Sequence, residues 1–137
     1  MKVEKDDVEN FNRTISNAYK LTSSGNKFWE ARELQTLLQY SSWQRFESVI
    51  QRAINACDLS GYNSKEHFQI YEKSIIIGSN TVRKITDYKI SKYGCYLIAI
   101  SGDPAQKEMI LYANIYFAPN IRKYEEIQNY ISSNTLK

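Results

Sequence analysis

The stretch from Tyr88 to Pro104, YKISKYGCYLIAISGDP, decides how this chain is organised. It opens as a basic, strand-like segment, becomes a short apolar helix, stops at Gly102 and restarts at Asp103-Pro104. Asp103 is a good N-cap, and Pro104 suits the first helical position because a helix start leaves that N–H unbonded anyway. One run therefore joins a β-segment to two helices, which is the signature of an α+β chain. Its centre, Tyr93 to Ile100 with Cys95 inside it, is mostly apolar and reads as a core helix. Any chemistry belongs to its basic edge, Lys89 and Lys92, and to what precedes it.

Upstream, Ile75-Ile76-Ile77 is β-branched and favours a strand from about Phe68 to Ile77. Gly78-Ser79-Asn80 is turn chemistry, and Thr81 to Ile90 returns as the second strand of a hairpin. Further back, a short helix is expected from about Glu30 to Gln39. A longer one follows Ser41-Ser42, with Trp43, Phe46, Ile50, Ala53 and Cys57 on one face and Gly61 ending it. This pair resembles a helix-turn-helix unit in length and spacing. Val8, Phe11, Ile15, Ala18 and Tyr19 recur at helical spacing, predicting an N-terminal amphipathic helix over 6–21, and Ser23 to Asn26 is a turn. Downstream, helices are expected over Ser91–Ile100 and Pro104–Phe117, with Pro119 breaking the second. A helical tail over 121–131 carries Ile121, Tyr124, Ile127, Gln128 and Ile131 along one stripe. The expectation is one domain, residues 1–137, mostly helical, with a helix-turn-helix-like pair and one β-hairpin.

Composition sets outer bounds. The 137 residues suffice for one domain with its own core, and 24% charged with 42% hydrophobic residues is globular. A net charge of +3 permits a nucleic-acid partner without demanding one. Tyrosine, at 11 residues, is the outlier. Tyrosines suit interfaces and base-stacking platforms, and equally a core boundary, the plainer reading of Tyr93, Tyr96 and Tyr112. The sequence has no apolar run of membrane-spanning length, and the acidic, polar start from Glu4 to Glu9 is unlike a secretory leader, so a cytoplasmic setting is expected. Cys57 and Cys95 lack metal-type spacing and read as buried free thiols, with a redox pair as the minor alternative.

The hairpin carries Lys73, Arg83, Lys84 and Lys89 against Glu72 and Asp87. A basic hairpin beside a helix pair is the layout of a winged DNA-binding unit, its cations neutralising phosphates without reading bases. The plain alternative is a solvated edge hairpin whose lysines discourage aggregation. Arg32 and Gln35 share a face of the first short helix. Gln44 and Arg45 open the long helix, where a recognition helix presents side chains suited to adenine and guanine edges. Arg52, Arg83, Lys84, Lys89 and Lys92 fit phosphate contact.

Catalysis finds little support. His67 is the sole histidine, which leaves no multi-histidine metal site, and beside Phe68 it reads as a buried or capping residue. No glycine-rich phosphate loop is present. Asp87-Tyr88-Lys89, with Glu72 as an upstream acid, is the one arrangement resembling a Mg²⁺-dependent nuclease, a pattern frequent by chance. No cofactor and no metal are expected.

An ordered series of blocks carries a family resemblance. Trp29-Glu30-Ala31-Arg32-Glu33-Leu34-Gln35 leads to Leu38, Tyr40, Trp43 and Phe46, then Val49-Ile50, Ala53, Ala56-Cys57 and Ser60-Gly61. His67-Phe68, Ile77-Gly78, Arg83, Asp87-Tyr88 and the Tyr88–Pro104 run follow, and Tyr116-Phe117-Ala118 closes the series. Over about 28–118 this resembles the DNA-damage-inducible protein D family, related in pattern to the Bro-N/KilA-N domains of phage and viral antirepressors. Gly94 departs from the family's usual alanine, Ile100-Ser101 from a more polar pair, and Pro119-Asn120-Ile121-Arg122 from a glutamine-threonine-arginine run. The resemblance implies a bacterial or phage setting and a role in the DNA-damage (SOS) response, which the scant support for catalysis makes a non-enzymatic one. Single- or double-stranded DNA, a recombinase filament, or a repressor bound in antirepressor fashion are the partners it implies. Homodimer formation through the tail is a further option.

Overall fold

The computed structural model describes residues 5–118. The chain runs α1 (Lys5–Ala18), β1 (Lys20–Leu21), β2 (Lys27–Glu30), α2 (Ala31–Leu37), α3 (Trp43–Leu59), α4 (Ser64–His67), β3 (Phe68–Ile77), β4 (Thr81–Ser91), α5 (Lys92–Ile100), a 3-10 turn over Pro104–Gln106, and α6 (Lys107–Phe117). The α+β class holds. Pro119 and the helix expected over 121–131 lie outside the described residues.

The hairpin foreseen from Ile75–Ile77 and Gly78–Asn80 is present, and its strands are antiparallel from Phe68↔Ile90 to Ile77↔Thr81. Gly78 (φ 54°) and Asn80 (φ 64°) both take the left-handed region that the three-residue loop requires. The hairpin is not the whole sheet, however. Two short strands extend it to the order β1-β2-β4-β3. β2 was hidden because Lys27-Phe28-Trp29-Glu30 is short, lacks β-branched residues and runs directly into a helix. Its pairing with Lys89–Ser91 is a long-range fact. For the same reason α1 stops at Ala18 rather than continuing to residue 21: Lys20 and Leu21 pair with Phe28 and Lys27 instead.

α3 buries Phe46, Val49, Ile50, Ala53 and Cys57 on one stripe, and Ser42 caps it by accepting from the Arg45 N–H at 3.2 Å. α5 is buried along most of its length, as its apolar sequence requires, and its N-cap Ser91 accepts from the Gly94 N–H at 3.0 Å. At the restart, the Asp103 carboxylate accepts from the Ala105 N–H at 2.9 Å, and Pro104 occupies the first turn. One side chain ties three elements together. The Trp29 indole N–H donates to the Ile15 carbonyl at 2.9 Å, and its ring meets Phe117 edge-on at 5.2 Å. Tyr93 and Tyr112 are buried core residues and Tyr96 is half-buried, so these tyrosines form the core boundary rather than a platform. No helix among the described residues is long and apolar enough to cross a membrane.

Candidate nucleic-acid interface

β2 reaches β4 only at Lys89–Ser91, so among the described residues the rest of the hairpin is a two-stranded ribbon with no third strand. Every residue from Ile76 to Lys84 is exposed. From Lys73 to Thr86 the sequence holds Lys73, Arg83 and Lys84 and no acid at all. Strand alternation separates these cations. Lys73, Arg83 and Lys89 share one face, and Lys84 lies on the other, 3.9 Å from Glu72. Arg83 has no ion-pair partner among the described residues.

The root of the ribbon is fixed by a buried acidic side chain. Asp87 is fully buried, and one carboxylate oxygen accepts from the N–H groups of Arg32 (3.0 Å) and Tyr88 (2.8 Å). It thereby caps α2 from another element, since the N-cap residue Glu30 makes no side-chain cap bond. The other oxygen faces Lys73 at 3.5 Å and the Tyr71 hydroxyl at 3.3 Å. Glu30 joins through Lys73 (3.0 Å), Lys20 (2.8 Å) and a short hydrogen bond from Tyr71. Burial pushes the Glu30 carboxyl up, but the hydrogen bonds from Lys20, Tyr71 and Lys73 outweigh it and bring it to about 2. Burial, then the bond to Glu30, raises the Tyr71 phenol. Glu72 does not approach Asp87: the register partner of Asp87 is Tyr71, which puts Glu72 on the opposite face. Glu30 is the acid that comes near instead, on a strand the sequence did not reveal.

The remaining candidates divide by what already occupies them. The Arg32 Nε–H donates to the Thr86 carbonyl at 2.9 Å, and its guanidinium lies 3.7 Å from the centre of the Trp43 ring. Gln35 donates to the Tyr40 carbonyl at 3.3 Å. Arg45 pairs with Asp103 at 3.0 Å, and Arg52 donates twice to the Ser101 carbonyl, at 2.9 and 3.3 Å. These side chains tie elements together before any partner arrives. Gln44 is exposed. His67 is buried, its Nδ1 2.6 Å from the Ser91 hydroxyl, and burial lowers its basicity. Cys57 and Cys95 are free and buried, and burial pushes the Cys57 thiol up to about 11 and the Cys95 thiol well above its ordinary value, so both are inert at neutral pH.

An open cleft of about 880 Å³ lies at the base of the ribbon, lined by Lys27, Lys89, Phe28, Gln69, His67 and Glu66 among others. Lys89 stands 5.4 Å from the ring centres of both Phe28 and Tyr71. Burial, then the charge of Lys27, holds the nearby Lys92 ammonium below its ordinary value. Lys27 escaped the sequence reading because β2 did. Among the described residues, no group of three His, Cys, Asp or Glu side chains is placed to hold a metal ion.

Over 105 residues, 77% of its length, the chain is 39% identical to DNA damage-inducible protein D of Escherichia coli (strain K12). The chain belongs to the DNA damage-inducible protein D family. It spans 38% of the length of that relative. No family model matches the chain, and no solved structure matches it. Position 94 leaves no room for a side chain. A Cβ there would sit 2.7 Å from the Ile90 Cγ2 and 2.9 Å from the His67 carbonyl oxygen, closer than packed atoms tolerate.

Proposed function

We propose that this chain is a non-enzymatic, cytoplasmic domain of the DNA-damage response that engages DNA, bare or within a recombinase filament, through the β3–β4 ribbon. The observation that carries this reading is the acid-free ribbon itself, which holds Lys73, Arg83 and Lys84 from residue 73 to 86 and is exposed from Ile76 to Lys84. Such a surface neutralises phosphates without reading bases. The name of the E. coli relative supplies the damage-response setting. Lys89 and Lys92 extend the positive surface toward the base cleft, and Gln44 offers a polar contact from α3. The deciding measurement is a titration of single- and double-stranded DNA, with and without recombinase filaments, at two salt concentrations. Affinity should fall steeply with salt and with the double change Arg83→Glu/Lys84→Glu. Salt-independent binding, or none to either form of DNA, removes the reading.

A second reading is an antirepressor-like module acting on a repressor protein. What favours it is the outer edge of β3, which has no neighbouring strand among the described residues and offers a row of backbone groups for strand addition. Capture of a repressor that survives high salt and the Arg83→Glu/Lys84→Glu change would select it.

A further inference from the structure

The tip of the ribbon is more apolar than phosphate contact requires. Ile76 is 74% exposed and its direct cross-strand partner Val82 is 62% exposed, so the two form one aliphatic pair on one face. Ile77, 40% exposed, lies on the other face. Soluble proteins rarely leave such a cluster in water without a use for it, and a strand at a sheet edge ordinarily carries charge there instead. The loop Gly78-Ser79-Asn80 adds little width, so the end of the ribbon is narrow as well as apolar.

We propose that this tip is a wedge for duplex DNA: Ile76 and Val82 enter the minor groove and part a base step, while Arg83, Lys84 and Lys73 hold the flanking phosphates. The proposal rests on the reading of the ribbon as a DNA-binding surface. Charge selects the occupant. The cations stand directly behind the apolar pair, Arg83 and Lys84 being the next residues after Val82, and no acid lies within the segment. An anionic polymer with apolar gaps between its charges complements that arrangement. Docking of two such tips from two copies would bring like charges together. Single-stranded nucleic acid is normally held on aromatic platforms, and the ribbon has no aromatic residue between Tyr71 and Tyr88. Tyr71 is hydrogen-bonded to Glu30 and Tyr88 is buried, so neither is free to stack a base. Aliphatic side chains that part base steps are instead a duplex device, used from the minor groove to bend DNA. The polar residues near the tip, Ser74, Ser79 and Thr81, are too short for bidentate base recognition, which makes easily deformed pyrimidine–purine steps the preferred sites.

The test uses the full chain with two end-labelled duplexes, one with a central TA step flanked by a fluorescent adenine analogue, the other a stiff A-tract. Wild-type protein should draw the ends of the TA duplex together and brighten the analogue, and should bind the A-tract more weakly. Ile76→Ser/Val82→Ser, exposed positions whose change leaves the melting temperature in place, should abolish both signals and weaken binding about tenfold. Arg83→Glu/Lys84→Glu should weaken it about tenfold or more at low salt. Unchanged bending by the serine variant overturns the proposal, as does tighter binding of a single strand without bending, though either result leaves DNA binding intact. Failure of the wild type to bind any DNA, including a result in which it binds only anionic lipid vesicles, removes the DNA reading and this proposal with it.

Discussion

Asp87 sits in the core with no exposed surface, and three different elements answer its carboxyl group. Its carboxylate caps α2 through the Arg32 N–H, holds β4 through the Tyr88 N–H and faces Lys73 on β3. Replacing it by alanine takes the carboxylate away from the N–H groups of Arg32 and Tyr88 and leaves the Lys73 ammonium with Glu30 alone. Asp87→Ala should therefore cost about 2–4 kcal/mol in urea unfolding. Glu30 makes a pH-dependent contribution. Its folded-state value, about 2, lies below its ordinary 4.5, so the unfolded chain takes up the proton first on acidification. The stability it supplies is whole above about pH 4.5 and is lost as the pH falls toward 2. Glu30→Gln should then destabilise by about 1–2 kcal/mol at pH 7, with the gap to wild type closing between those two values. Urea titrations of both proteins at several pH values check this. At Gly94 the space for a Cβ is taken by Ile90 and His67. Gly94→Ala, ordinarily favourable in a helix, should here cost about 1–3 kcal/mol, read as a lowered unfolding midpoint.

At the scale of elements, the ribbon and α3 differ in what their charges do. Arg45 and Arg52 on α3 grip Asp103 and the Ser101 carbonyl, fastening the long helix to the loop before α6. The hydrogen bond from the Ala105 N–H and the charge of Arg45 hold the Asp103 carboxyl below its ordinary value, despite desolvation acting the other way. The cations of the ribbon's outer half grip little. Arg83→Glu/Lys84→Glu should leave stability within about 0.5 kcal/mol of wild type, as exposed substitutions usually do. A thermal melt beside a DNA titration separates the two effects: loss of binding with an unchanged melt assigns the residues to the partner rather than to the fold.

For the whole molecule, a net charge of only +3 supplies little long-range attraction, so affinity must come from the local cluster. If Lys73, Arg83 and Lys84 each displace a counterion, the logarithm of affinity should fall with that of salt at a slope of about −3. A slope near zero would count against phosphate contact altogether. Much of this surface was legible in the chain itself. β-branching at Ile75–Ile77 located the hairpin, Gly78–Asn80 its turn, and the apolar run Tyr93–Ile100 the helix that seats it. The place of Cys57 on an apolar helix face foretold its burial, and of the two readings of His67, buried or capping, it is buried. These features were readable because they depend on neighbours in sequence: side-chain period, propensity and capping act within a few residues. Tertiary structure alone decided the rest. It paired Phe28–Glu30 with Lys89–Ser91 to complete the sheet, engaged Arg32, Arg45 and Arg52 as ties between elements, and separated Glu72 from Asp87 while bringing Glu30 near. Each of those outcomes depends on strand register and on which distant segments pack together, and no local pattern encodes either.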